Sequence, residues 1–135
     1  MAKLTDEAEI LFRQIHPNYM SNGMPSSDRF RPTSNDGGRL SVDRSALVSA
    51  AESHELYVSN GRASTAVFGV SVGECLAEQL PSFEDPIEES STTKANPAHA
   101  VIDFSAFSEK DRRVLGRRLQ LKAIDRGQLH PQPAT

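Results

Sequence analysis

Between Arg13 and Arg39 the chain gathers eight side chains that can bind or move charge: Arg13, His16, Tyr19, Ser26, Ser27, Arg29, Arg31 and Arg39. Arginine forks match the paired oxygens of phosphates and carboxylates, and serine hydroxyls add further donors. A histidine beside them titrates near neutral pH and can take a proton from a reacting group. The pattern points to an anion or nucleotide site with Arg13, His16, Ser27, Arg29 and Arg31 as its ligand-binding residues. If such a site does chemistry, its catalytic set would be His16, Arg13, Ser26 and Ser27. The competing explanation is conformational. Ser, Asn, Gly and Pro populate loops because of their backbone preferences, and arginines mark solvated surface.

Other constellations are thinner. Cys75 follows the turn Val72-Gly73-Glu74, where a helix N-terminus would lower a thiol pKa, and His99 begins a later apolar run. Against a nucleophile, GVSVGEC is not the GxSxG elbow, and free cysteine is among the most buried residue types. The same segment is not a GxGxxG dinucleotide fingerprint. The histidines at 16, 54, 99 and 130 form no HxH or HExxH pair, so neither a metal nor a cofactor is expected.

The strongest charge feature is SEKDRRVLGRRLQLKAIDRG. It carries Lys110, Arg112, Arg113, Arg117, Arg118, Lys122 and Arg126 against Glu109, Asp111 and Asp125. Arg112, Arg113, Arg117, Arg118 and Lys122 form a candidate face for nucleic-acid phosphates or for a partner protein. No aromatic residues are interleaved for base stacking, which counts against single-stranded nucleic acid. The acidic stretch Glu84–Glu89 is a complementary surface.

The elements that must position these residues alternate. Thr5–Ile15 has a capping threonine, early acids and Ala8, Leu11, Phe12 and Ile15 at helical spacing, which predicts a first helix ended by His16-Pro17. A short strand over ILFRQI is the competing reading. Residues 18–39 form a long loop rich in turn signals (Asn22-Gly23, Met24-Pro25, Gly37-Gly38), with room for a short strand near Arg29–Arg31. Leu40–Val42 reads as a strand, and a helix follows from Ser45 to a stop at Asn60-Gly61. Ser64–Val72 (STAVFGVSV) is rich in β-branched residues and reads as a strand. A short helix then runs to Leu80-Pro81.

Residues 82–97 are acidic and Ser/Thr-rich, and read as a mobile loop. His99–Phe104 reads as a buried strand. A last helix starts at a Ser108 cap and ends at Gly127, and 130–135 is a frayed tail. The expected fold is α/β or α+β, with a small sheet of three or four short strands covered by about four helices.

Composition bounds the class. The 135 residues are 37% hydrophobic and 24% charged, with net charge -3 and pI near 5.8. That fits a single domain (1–135) and gives no global basic excess to draw it to nucleic acid or anionic membrane. A lone cysteine rules out an intramolecular disulfide and suits a reducing compartment. No window approaches the roughly 20 apolar residues of a membrane helix. A cytoplasmic protein with no membrane association is expected.

At LFRQIHP, SSDRFRPT, GGRLSV, VSVGEC and PAHAVIDF the chain resembles small uncharacterised bacterial proteins of unknown function, over most of its length from about Leu11. A looser similarity is to ADP-ribosyltransferase-like domains. That resemblance implies an arginine or histidine on an early strand and a serine on a later one holding a dinucleotide, parts that would fall to Arg13 and to Ser26 or Ser27.

The leading expectation is a small cytoplasmic bacterial protein-interaction module without catalysis, in a toxin-immunity or defence context. A protein partner is expected ahead of nucleic acid. The alternatives are a nucleotide- or NAD-handling enzyme with its site at residues 13–31, and nucleic-acid binding through the basic last helix.

Overall fold

A computed structural model describes residues 1–132. In chain order it places β1 (Ile10–Ile15), a 3₁₀ turn (Pro17–Tyr19), β2 (Met20–Ser21), β3 (Met24–Pro25), a second 3₁₀ turn (Ser27–Phe30) and β4 (Arg39–Arg44). Then come α1 (Ala50–Ser59), β5 (Ala66–Ser71), α2 (Val72–Ala77), β6 (Ser82–Glu84), β7 (His99–Asp103) and α3 (Glu109–Arg126). Five strands form one sheet in the order β5-β1-β4-β7-β6, every pair antiparallel, and β2 and β3 form a separate hairpin.

The fold is therefore α+β, with a five-stranded antiparallel sheet, a two-stranded sheet and three helices among the described residues. This corrects the expected three or four strands under about four helices. The discrepancy sits mainly in β1. Leu11, Phe12 and Ile15 recur at helical spacing, but the same spacing also arises in a strand covered on both faces. Leu11 and Ile15 point into the core while Phe12 and Gln14 point to the opposite face, and all four are buried. Six residues of β1 pair with β5, from Ile10–Ser71 to Ile15–Ala66, and this pairing overrides the local preference. The Asp6 carboxylate, expected in a first helical turn, instead accepts from the Ala8 N–H in a tight turn leading into the strand.

Two segments expected to be loops hold further structure. Within 18–39, Asn22 (φ 54) and Gly23 (φ 76) make the left-handed pair of a two-residue hairpin joining β2 to β3. Within 82–97, β6 adds an edge strand, and Ile87 and Asn96 exchange both backbone hydrogen bonds. The second helix begins at Ala50, five residues later than expected, because the cap is Ser49 in a capping box with Glu52. The Ser45 hydroxyl instead accepts from the Ile10 N–H. Of the expected frayed tail 130–135, His130 bonds, with Leu129 before it, to the backbone groups of Val67 on the outer edge of β5, and residues 133–135 lie outside the described residues.

The core lies between one sheet face and α2, α3 and the Ser27–Phe30 turn. It contains Leu11, Ile15, Leu40, Phe68, Ile102, Phe104 and Phe30, closed by Leu115, Leu119 and Ala123 of α3. Gly116 lets that turn approach the helix. A Cβ there would lie 3.1 Å from the Arg31 Cβ and 3.3 Å from the Ser27 carbonyl. The other sheet face receives α1, whose buried Ser53 sits in a polar network described below. One ion pair braces the start of β1. The Arg44 fork grips Glu9 at 3.0 and 3.1 Å, and the Ala46 N–H adds a third donor at 3.2 Å. Among the described residues no helix is long and apolar enough to cross a membrane.

Candidate functional site

Strands β1 and β4 pair only at Leu11–Arg44 and Phe12–Asp43, and beyond that point two arginines occupy the gap. Arg13 donates from Nε to the Arg29 carbonyl at 2.6 Å and from Nη1 to the Ser41 carbonyl of β4 at 3.0 Å. Arg29 donates from Nη2 to the Gln14 carbonyl of β1 at 3.2 Å. The guanidinium groups thus satisfy backbone carbonyls that a continuous ladder would have satisfied.

Neither arginine pairs with a carboxylate among the described residues, and the Arg29 Nε is buried without a hydrogen-bond partner. Burial, and then the adjacent Arg29 charge, push the Arg13 guanidinium down to about 9, with Tyr57 and Asp36 opposing the shift. It stays cationic at neutral pH.

The pair stands at one end of a cleft of about 510 Å³ between α1 and the 87–96 hairpin. Phe12, Gln14, Ser41 and Asp43 supply its floor, Leu56, Tyr57 and Asn60 one wall, and Ile87, Thr93 and Asn96 the other. Arg62 and Lys94 also line it, so four cations face two carboxylates, Asp36 and Asp43. Both carboxylates are occupied by neutral donors. Asp36 accepts from the Thr33 N–H and hydroxyl, and Asp43 from the Ser53 hydroxyl and the Asn96 amide.

The floor is a closed network. Gln14 donates to Ser53 at 2.8 Å and accepts from Ser64 at 2.8 Å. The hairpin is tied across the cleft by the Lys94 N–H on the Asn60 side-chain oxygen. The arrangement leaves the Arg13–Arg29 end with no carboxylate in ion-pair contact among the described residues, Asp36 acting on Arg13 only from a distance, beside a wall carrying Tyr57 and Leu56.

Of the residues singled out between Arg13 and Arg39, the structure brings Arg13 and Arg29 together in this cleft. The others of that segment go elsewhere. His16 Nδ1 accepts from the Asn18 N–H and caps the first 3₁₀ turn, and the Ser26 hydroxyl accepts from the Asp28 N–H and caps the second. Ser27 lies against α3 at Gly116, and Arg31 pairs with Asp28. Arg29, Arg31, Tyr19 and Arg113 border a smaller hollow of about 280 Å³.

Sequence reasoning missed Tyr57, Arg62, Lys94, Asn96 and Asp43, which converge only when α1 and the hairpin fold over the sheet. Cys75 is buried on the core face of the sheet, whereas His99, opposite Asp43, lies on the cleft face. Burial pushes the Cys75 thiol up to about 12, the reverse of activation. Among the described residues no group of three or more His, Cys, Asp or Glu is placed to hold a metal ion.

The five basic residues assigned to the α3 face divide. Arg112 donates to the Phe104 and Phe107 carbonyls and anchors the helix start, and Arg118 pairs with Glu78 at 2.8 Å. Arg113, Arg117 and Lys122 are exposed and in no ion pair among the described residues. Of the complementary acidic stretch, Glu84 lies 3.8 Å from Arg44 and Asp85 lies 3.3 Å from His99.

No family model, curated protein or solved structure matches the chain, so its own geometry carries the functional argument.

Proposed function

We propose that this protein is a non-catalytic binding module for a small anionic ligand, a phosphate or carboxylate compound seated in the cleft between α1 and the 87–96 hairpin. One observation carries the reading: the Arg13 and Arg29 guanidiniums lie together with no side-chain counter-ion. Two adjacent, partly buried cations repel each other and lose some of their hydration, and an anion bound between them offsets that cost. The volume falls in the range of about 300–1,000 Å³ common for small-ligand pockets. Of the proton-transfer candidates, His16, Ser26 and Ser27 sit outside the cleft, and His99, held at Nδ1 by the Asp85 carbonyl, has no hydrogen-bonded nucleophile among the described residues.

Titration with inorganic phosphate and pyrophosphate, followed by amide and arginine Nε NMR signals, tests this. Saturable shifts confined to Arg13, Arg29, Arg62 and the 87–96 hairpin are expected. Absence of any saturable shift removes the reading.

A second reading, a protein partner on α3, is favoured by a different observation. Val114 and Leu121 are 48% and 52% exposed, one turn from Lys110 and Arg117 on the outward side of the helix. Apolar residues interleaved with cations suit an acidic protein surface better than nucleic-acid phosphates. A peptide of alternating Glu and Leu should perturb the amides of Lys110–Lys122. If duplex DNA does so instead, the face belongs to nucleic acid, and if neither does, the second reading fails.

A further inference from the structure

The chemistry of the cleft narrows its ligand further, given the anion-binding reading above. Its polar floor offers little to a ligand. Gln14, Ser53, Ser64, Asp43 and Asn96 spend their groups on one another, and breaking such a satisfied network to bind a sugar or amide would leave buried groups unpaired. What the middle of the cleft does offer is apolar and flat: the Tyr57 ring, with Leu56 beside it and Ile87 across the gap. Tyr57 and Arg13 line the same cleft, so a body packed on that ring shares the cavity with the arginine pair. Arg62 covers the Tyr57 ring with its guanidinium carbon 5.6 Å from the ring centroid. Being exposed, it can move aside for a second flat group or stack upon it.

We infer that the ligand is a phosphate monoester carrying a planar aromatic or heterocyclic ring, of the size of a nucleoside monophosphate. Its phosphate sits between Arg13 and Arg29 and its ring packs against Tyr57 beneath the 87–96 hairpin. Two guanidiniums match a dianionic phosphate in charge and in donor number. Lys94 and Arg62 provide the outer cations that draw it in. Ring recognition here rests mainly on stacking, since the Gln14, Ser53, Ser64, Asp43 and Asn96 groups are engaged with one another and only the Ser41 hydroxyl stands outside that network on the floor, so the site tolerates different rings.

The test is a calorimetric ladder on the full chain with inorganic phosphate, ribose 5-phosphate, phenyl phosphate and adenosine and uridine monophosphates. The ring-bearing esters are expected to bind about tenfold or more tightly than inorganic phosphate, the increment that stacking of one ring supplies. Ribose 5-phosphate should show no such gain. Tyr57→Ala should erase the difference in affinity between the ring-bearing esters and inorganic phosphate, and Tyr57→Phe should keep it. Equal affinity for all four classes overturns the ring assignment and leaves the anion site standing. Failure of every anion to bind the folded wild-type protein overturns both. The wild-type ladder decides the matter even if the alanine variant does not fold.

Discussion

An anion that seats between Arg13 and Arg29 must stabilise the fold, and the structure sets the scale. The Arg13 guanidinium is pushed from 12.5 to about 9, which corresponds to an upper bound of roughly 5 kcal/mol disfavouring its cation in the folded state. The side chain is only partly covered and water screens it, so about half of that, ~2–3 kcal/mol, is a working figure. A basic group with a lowered folded-state pKa carries this penalty in full below pH 9. The penalty fades as pH rises from about 9 toward 12.5, so the stability from this group increases across that window. At pH 7.5 the whole penalty is present and open to relief.

A bound phosphate at a hundred times its dissociation constant adds about 2.7 kcal/mol. For 135 residues the unfolding entropy is about 0.28 kcal/mol per degree, so Tm should rise by about 10 °C. Melting by circular dichroism in phosphate and in chloride at equal ionic strength measures this. Arg13→Gln supplies the control, because phosphate also stabilises proteins generally by exclusion from their surface. The variant should keep only that general rise, and its own melting in chloride should change little, since lost hydrogen bonds offset the lost repulsion. Equal phosphate shifts in wild type and Arg13→Gln would refute the reasoning.

Other expectations concern the frame around the cleft. Glu9→Gln leaves the Arg44 charge without its bidentate partner and should cost about 3 kcal/mol in urea unfolding, near the low end because Glu84 at 3.8 Å takes up part of the loss. A cost below about 1 kcal/mol contradicts the brace. Gly116→Val drives a branched side chain into Arg31 and Ser27, and should cost about 1–3 kcal/mol and weaken phosphate binding, because the displaced turn carries Arg29. Unchanged phosphate affinity in a folded variant would separate that turn from the site. Cys75 should resist thiol reagents at pH 8 until the chain unfolds. Its raised pKa means that the fold loses stability as pH climbs from about 9 to about 12, opposing Arg13 over the same range. Cys75→Ala should therefore uncover the alkaline rise that Arg13 produces, and a flat profile in that variant would count against the Arg13 assignment.

How much of this was legible in the sequence varies by element. The strand around Ala66–Ser71 and that at His99–Asp103 announce themselves as β-branched or apolar runs, and α3 by its Ser108 cap and Gly127 end. Strand β1 does not, because a central strand buried on both faces has no alternation to display, and its pairing lies 51 to 61 residues away on β5. For the site, Arg13 and Arg29 were visible as residues of the right chemistry, one just before a long connection and one within it. His16 and Ser26 were equally visible and misleading, since the groups that make them attractive as acid, base or hydroxyl also make them good caps. Tyr57, Arg62 and Lys94 carry no local mark at all. Only tertiary packing of α1 and the hairpin gives them a common address.

The strand order has a consequence for how the chain assembles. In β5-β1-β4-β7-β6 the central strands wait for distant partners. β1 is complete at residue 15, but its longest pairing needs residues 66–71, and β4 waits for residues 99–103. The outer edge of β5 is covered by residues 129 and 130 and by the Arg126 side chain. Such non-local pairing makes for slow folding. During synthesis the apolar run Ile10-Leu11-Phe12 emerges early and stays unpaired while most of the domain is made. Co-translational chaperone contact should fall on this segment, and its burial marks the moment at which the arginine pair, and with it the cleft, first comes into being.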